Sequence, residues 1–187
     1  RTYITGGDSQ HAAGNVADNP YWTTENNPFS DETNRLIGNV NLAYKLNSSF
    51  SLKYQLNGDY LSNEAKTALN RGSAYMPKGH IMKRDEKFKS LLSRFSVLFD
   101  KHWDSFELNS TAGYEYTTSK RSIDRLDGYH LTEAGNYNIQ KADSIVPYGQ
   151  SFRRHSNAIF GKITLGYRQM INMEAAMRGE WSSINNT

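Results

Sequence analysis

The chain has 187 residues, 37% hydrophobic and 22% charged, with a formal net charge of +3. No stretch approaches the roughly 18–20 consecutive apolar residues of a membrane-crossing helix, and so ordinary a charge content excludes a charge-driven disordered chain. Cysteine is absent, which excludes a disulfide framework, a zinc–thiolate site and a cysteine nucleophile within these residues.

Residues 1–33 are punctuated by Gly6-Gly7-Asp8, Asn19-Pro20 and Asn27-Pro28, and are expected to form a loop leading into a sheet. Arg1 opens the chain without a methionine, and Asn185-Asn186-Thr187 follow directly on a strand-like run. Both ends are therefore expected to be cuts in something longer.

From Arg35 the sequence alternates apolar and polar residues, the signal of a strand with two unlike faces. Six runs are predicted as strands, near 35–46, 50–61, 89–100, 105–118, 156–168 and 171–183. They form three hairpins joined by short turns such as Asn47-Ser48-Ser49. The stretches 63–87 and 119–154 are predicted as long loops.

One face of these runs carries Val40, Leu42, Leu52, Leu56, Phe95, Val97, Leu108, Ile163, Leu165 and Met177. The charges fall on the other: Arg35, Lys45, Lys53, Asp59, Arg94, Asp100, Glu107, Glu115, Lys162, Arg168, Glu174, Arg178 and Glu180. A soluble sheet tolerates an occasional charge near the end of its buried face, whereas Lys or Arg at mid-bilayer costs about 2–4 kcal/mol. Each run is also near the roughly 10 residues that cross an apolar band of about 25 Å at the usual tilt, while strands of soluble proteins average about 5–6. Connections alternate short and long, as in outer-membrane barrels. Tyr44, Phe50, Phe99, Phe106 and Tyr167 end the apolar face near the short turns, and Tyr60, Tyr116 and Trp181 end it near the long connections. Two such belts suit a membrane–water boundary. The expected fold class is therefore all-β: a segment of a large transmembrane antiparallel β-barrel, with short periplasmic turns and long extracellular loops. Residues 34–187 would form the barrel segment, its apolar face to lipid and its polar face to the lumen.

Two stretches then acquire a family likeness. Asn19-Pro20-Tyr21-Trp22, followed by Arg35-Leu36-Ile37-Gly38-Asn39-Val40-Asn41-Leu42-Ala43-Tyr44-Lys45, resembles the SusC/RagA-type TonB-dependent outer-membrane transporters. So does Phe160-Gly161-Lys162-Ile163-Thr164-Leu165-Gly166-Tyr167 with Met177-Arg178-Gly179-Glu180-Trp181-Ser182-Ser183, although Gly179-Glu180 stands where Asn-Asp is common. The resemblance implies a plugged barrel of 22 strands in the Gram-negative outer membrane. It also implies a SusD-like surface lipoprotein as partner and import of oligosaccharides or peptides driven by the TonB complex. The plug and the TonB-contacting region lie outside the matched stretches, so no coupling residue carries over. A passive outer-membrane barrel or adhesin, and a soluble all-β binding module, remain the alternatives.

Little here points to catalysis. His11, His80, His102, His130 and His155 form no pair at metal-ligand spacing. His80 lies near Asp85, and His130 near Asp127 and Glu133, as loop residues often do. A Ser-His-Asp enzyme on a barrel is the rival class, but no serine is marked as a nucleophile. Neither a cofactor nor a metal is expected. The basic cluster Lys78, Lys83, Arg84, Lys87 and Lys89, with Arg121 and Arg125, is broken by Asp85, Glu86, Asp124 and Asp127. It reads as a solvated surface that meets lipopolysaccharide phosphates or a partner, not as a nucleic-acid site. The loop aromatics Tyr21, Trp22, Tyr75, Tyr129 and Tyr137, with Tyr148, are candidates for contact with substrate or partner; the alternative is that they pack the loops together.

Overall fold

In a computed structural model, which describes residues 18–186, a short helix precedes six antiparallel strands whose order in the sheet is their order in the chain. The helix α1 spans Pro20–Asn26. The strands are β1 Phe29–Lys45, β2 Phe50–Leu69, β3 His80–Trp103, β4 Phe106–Leu131, β5 Ala142–Tyr167 and β6 Ile171–Asn186, with a single 3₁₀ turn at Ile139–Lys141. Among the described residues the sheet does not close on itself.

Turn chemistry accounts for the hairpins. Asn47 Oδ1 accepts from the backbone N–H of Ser49 and of Phe50, both at 2.9 Å, so the Asn-Ser-Ser triplet is an Asx turn. β3 and β4 are joined by Asp104 and Ser105 alone, and Asp104 takes a φ of 24°. Between β5 and β6, Arg168 (φ 46°) and Gln169 (φ 55°) are the centre of a turn closed by Met170 N–H on Tyr167 O at 2.9 Å. Two positive φ values in succession match the right-handed twist of the flanking strands.

The described residues fall into two compact units. The first holds those up to Asn34, with Leu61–Lys87 and Ser122–Gln150. Its small core is Ala68, Ile81, Leu131 and Ile139, against which Tyr137 and Ala142 pack. Gly79 is required there: its φ is +80°, and a Cβ would come within 2.8 Å of Leu131 Cγ. The second unit holds Arg35–Tyr60, Phe88–Arg121 and the residues from Ser151 onward.

The strands are longer than the alternation predicts. β2 runs on to Leu69, β3 begins at His80, β4 ends at Leu131 and β5 begins at Ala142. The loops expected over 63–87 and 119–154 therefore shrink to residues 70–79 and 132–141. Likewise β1 begins at Phe29, and α1 occupies part of what was expected to be a loop over 1–33; residues 1–17 lie outside the described part. The physical reason is that charged residues such as Glu64, Lys66, Lys83 and Asp85 fall in phase with the apolar positions of these strands, so hydropathy stops alternating while the ladder continues. Leu131 N–H still donates to Lys78 O at 2.9 Å, and His130 N–H to Gly79 O at 3.1 Å.

Candidate functional site

Within the second unit, alternation sends the even-numbered residues of β1, β2 and β4 and the odd-numbered residues of β3, β5 and β6 to one face. The β5–β6 register places Ile163 opposite Ala175, Leu165 opposite Met173, and Gly161 opposite Met177. Val40, Leu42, Phe95, Ile163, Leu165 and Met177 are exposed, Met177 by 78%. Leu52, Leu56, Val97 and Leu108 are half-buried. A contiguous apolar face of this kind is what a water-soluble monomer avoids. Towards the short turns it ends in ring pairs, Phe50 on Phe99 at 4.7 Å and Phe106 on Tyr167 at 4.9 Å between centroids. Towards the other end its tyrosines carry polar partners. Ser93 Oγ donates to Tyr54 Oη at 3.1 Å, Tyr114 Oη donates to Asn157 Oδ1 at 2.5 Å, and Tyr116 Oη lies 3.0 Å from His155 Nδ1.

The opposite face is held by ions. Glu115, only 7% exposed, accepts from Arg94 Nε at 2.7 Å and from Arg94 Nη2 on one carboxylate oxygen. Its other oxygen accepts from Arg178 Nη2 at 2.9 Å. Arg178 Nη2 also lies 3.1 Å from Glu180 Oε2, and Glu180 Oε1 accepts from Ser156 Oγ at 2.6 Å. Four strands are thereby tied through one carboxylate pair. The Phe160 ring lies beneath, its centroid 5.7 Å from the Arg94 guanidinium carbon. Nearby, Lys162 pairs with Glu174 at 2.8 Å, and Arg35 grips Asp59 with two bonds of 3.0 and 2.7 Å. Sequence alternation assigns Arg94, Glu115, Lys162, Arg178 and Glu180 to one face. That four of them form a single network is a matter of register, and the available signal was the equal spacing of Arg94 and Glu115 from the two-residue turn.

In the first unit, Asn19 and Pro20 do more than punctuate a loop. Asn19 Oδ1 caps α1 by accepting from Tyr21 N–H at 3.0 Å, and Pro20 opens the helix without an N–H to satisfy. Trp22 is 1% exposed, which corrects the expectation that it meets a substrate or partner: its ring packs inside the unit. Tyr137 Oη donates to Asn26 O at 2.5 Å and so ties the 132–141 connection to α1; burial holds its phenol above the ordinary value. Tyr129 is half-buried with its ring 4.8 Å from that of His80. Of the loop aromatics singled out from the sequence, Tyr21 and Tyr75, at 77% and 85% exposure, and Tyr148 present open rings.

The histidine neighbours also differ from those adjacent in sequence. His80 Nε2 lies 3.0 Å from Asp127 Oδ1, not beside Asp85, and Arg125 Nε takes the other oxygen of Asp127 at 2.6 Å. That bond raises the Arg125 pKa. Asn70, buried, binds the end of α1 and the 132–141 connection: its N–H donates to Asn27 Oδ1 at 2.8 Å, its Nδ2 to Asn26 Oδ1 at 3.2 Å, and its Oδ1 accepts from Gly135 N–H at 2.8 Å. Among the described residues, no three His, Cys, Asp or Glu side chains converge as a metal site.

No protein-family model matches the chain, and no curated protein does. Solved structures do match. The structure of the RagAB peptide transporter aligns with a TM-score of 0.80 over 94% of this chain at 14% identity. That of the RagAB peptide importer in its open-open state gives 0.70 over 95% at 15% identity, and in its closed-closed state 0.68 over 95% at 13%. The chain spans about a fifth of those chains, 20%, 20% and 21% respectively. At such identities the likeness is one of fold: the open six-stranded sheet is all-β and has the form of a barrel segment. The motif resemblance and the structural one, reached from different observations, agree on that architecture.

Proposed function

We propose that this chain is a stretch of the wall of a SusC/RagA-type TonB-dependent transporter in the Gram-negative outer membrane. The observation that carries this reading is the exposed apolar face of the second unit, free of charge along its middle, on a sheet whose other face is bound by the Arg94–Glu115–Arg178 network. In this reading Val40, Leu42, Leu52, Leu56, Phe95, Val97, Leu108, Ile163, Leu165 and Met177 meet lipid, and the ion network faces the lumen. A charge moved to the middle of the lipid face would cost about 2–4 kcal/mol.

The role of these residues is passive. They exclude lipid and line the lumen, while the connections 70–79 and 132–141 lie on the extracellular side. There Tyr21 and Tyr75 offer rings to a substrate or to a SusD-like lipoprotein. Energy comes from the TonB complex acting on other parts of the protein, and no residue here acts as a catalyst. The cargo is a peptide or an oligosaccharide; the name of the RagAB peptide transporter supports the first.

Single cysteines test the orientation, because this stretch contains none. In the full-length protein in outer membranes, cysteines at Val40, Leu42 and Ile163 are expected to react with bilayer-soluble maleimides and to resist impermeant ones. Cysteines at Asn41 and Thr164 should show the reverse. Uniform labelling by the impermeant reagent would remove the lipid-facing assignment. Uptake of labelled peptides and of labelled oligosaccharides by cells lacking the protein then separates the two cargo classes.

A further inference from the structure

We infer that Lys89, Lys120 and Arg153 form a phosphate-binding row in the second unit that holds anionic lipid headgroups at the margin of the apolar face. The inference rests on the proposal that this face meets lipid. Its geometry follows from register. β3 ends at Trp103 and β4 begins at Phe106, so equal counts along the two strands set Lys89 opposite Lys120. The Arg94–Glu115 pair obeys the same count. Arg168 N–H donates to Ser105 O at 2.8 Å, and equal counts from that bond set Lys120 opposite Arg153. On the other side of the row, Lys89 Nζ stands 5.4 Å from the centroid of the Tyr60 ring.

Three cations thus occupy facing positions on three adjacent strands, where Cβ atoms are about 4.5–5.5 Å apart. All three are exposed. None has a carboxylate partner among the described residues, although like charges placed directly opposite destabilise a sheet. Composition is not the cause, because the other face of the sheet in this unit pairs Arg35, Arg94, Lys162 and Arg178 with acids. On the face that carries the row, the strands of this unit hold one further charge, Lys101 beside the two-residue turn, and no Asp or Glu.

The neighbours identify the occupant. One or two steps along the strands stand Leu91, Tyr116, His155 and Asn157, and then the apolar residues Phe95 and Ile159. An amphiphile can lay its chains on Phe95 and Ile159 and its phosphates on the cations. Arg153 supplies a planar fork for phosphate oxygens, and the two lysines supply point charges. A nucleic acid or free phosphate would leave the apolar part of this surface uncovered. The row is therefore assigned to phosphate groups of lipid, the counter-ions its own strands do not provide.

The test uses the full-length protein reconstituted in bilayers, with lipopolysaccharide carrying its lipid phosphates compared with the same material dephosphorylated. The wild type is expected to retain the phosphorylated form at least about tenfold more tightly, the scale that several cations produce at an anionic surface, and salt should weaken this preference. The variant K89Q/K120Q/R153Q should lose the preference, and K89R/K120R should keep it. Equal retention of both lipids by the wild type, a comparison that needs no variant, overturns the inference, as does an undiminished preference in the triple variant. Displacement by inorganic phosphate at equal phosphate concentration overturns it too, in favour of a free-anion site. A full-length protein that does not enter bilayers at all overturns the transporter-wall reading and this inference together.

Discussion

Gly113 of β4 faces the ring of Phe160 on β5 so closely that a Cβ at 113 would stand 2.4 Å from Phe160 Cζ. It would also stand 2.5 Å from the carbonyl oxygen of Phe95. Glycine normally weakens a strand, but here the missing side chain is the space that the ring fills. Gly113→Ala is expected to destabilise the protein by about 1–3 kcal/mol, the usual range for overpacking, measured by denaturant unfolding in detergent micelles. Phe160→Ala should relieve only part of that loss, because the Phe95 carbonyl is backbone and cannot rotate away. A Gly113→Ala protein more stable than wild type would show that this close approach has no energetic weight.

Glu115 is the shared acceptor of two guanidinium groups, and those two do not depend on it equally. Arg178 also has Glu180, while Glu115 is the carboxylate that holds Arg94. Both arginine side chains keep about 40% of their exposure, 40% and 41%, so solvent screens each bridge. Glu115→Gln is expected to cost about 1–2 kcal/mol, because one of its two accepting oxygens becomes an NH2 that cannot accept from a guanidinium and both arginines lose their anionic partner. In double-mutant cycles, coupling to Glu115 should be larger for Arg94→Ala than for Arg178→Ala. Equal or vanishing couplings would show that the network is incidental.

How much of this was legible in advance depended on which signal each residue carries. Val40, Leu52, Phe95, Ile163 and Met177 could be assigned to one face because hydropathy alternates wherever one side of a sheet is apolar. The same rule failed beyond Leu61 and before Phe88, where Glu64, Lys66, Lys83 and Asp85 fall in phase with the apolar positions, so hydropathy no longer alternates although the ladder persists. Helix α1 was readable in principle, since Asn19-Pro20 is a cap followed by a first-turn proline, but seven residues leave too little periodicity to weigh against loop punctuation. The pairing of His80 with Asp127 was not legible, because it depends on two strand ends meeting 47 residues apart. Trp22 and Tyr75 looked alike in sequence; only packing distinguishes the buried ring from the exposed one.

The turn from β5 to β6 holds two non-glycine residues at positive φ, Arg168 and Gln169. Left-handed backbone costs an ordinary L-residue about 1–2 kcal/mol. Gln169 contributes no side-chain hydrogen bond to offset this among the described contacts, whereas Arg168 reaches Ser105 Oγ at 3.4 Å and lies against its neighbour Tyr167. Gln169→Gly is therefore expected to raise stability by about 0.5–1 kcal/mol despite the greater freedom of the unfolded chain. Thermal unfolding checks the sign: a lower midpoint than wild type would mean that the turn is not strained at this position.

Tyr137 gives the first unit a dependence on alkaline pH whose direction follows from its surroundings. Its phenol donates to Asn26 O at 2.5 Å, and burial raises its pKa. A tyrosine bound in its neutral form, with a folded pKa above the unfolded value of about 10, contributes its full stabilisation below that value. The contribution is lost as pH rises through the raised folded value, because the phenolate can no longer donate to a carbonyl. The attachment of α1 should therefore loosen in strongly alkaline solution. Trp22 on α1 reports it, since its ring is buried; with Trp103 and Trp181 replaced by Phe, its emission should shift to the red as pH passes beyond about 10. Tyr137→Phe removes the titrating group and with it the step, at the cost of a slightly red-shifted emission at neutral pH. An identical alkaline step in both proteins would assign the loosening to some other group.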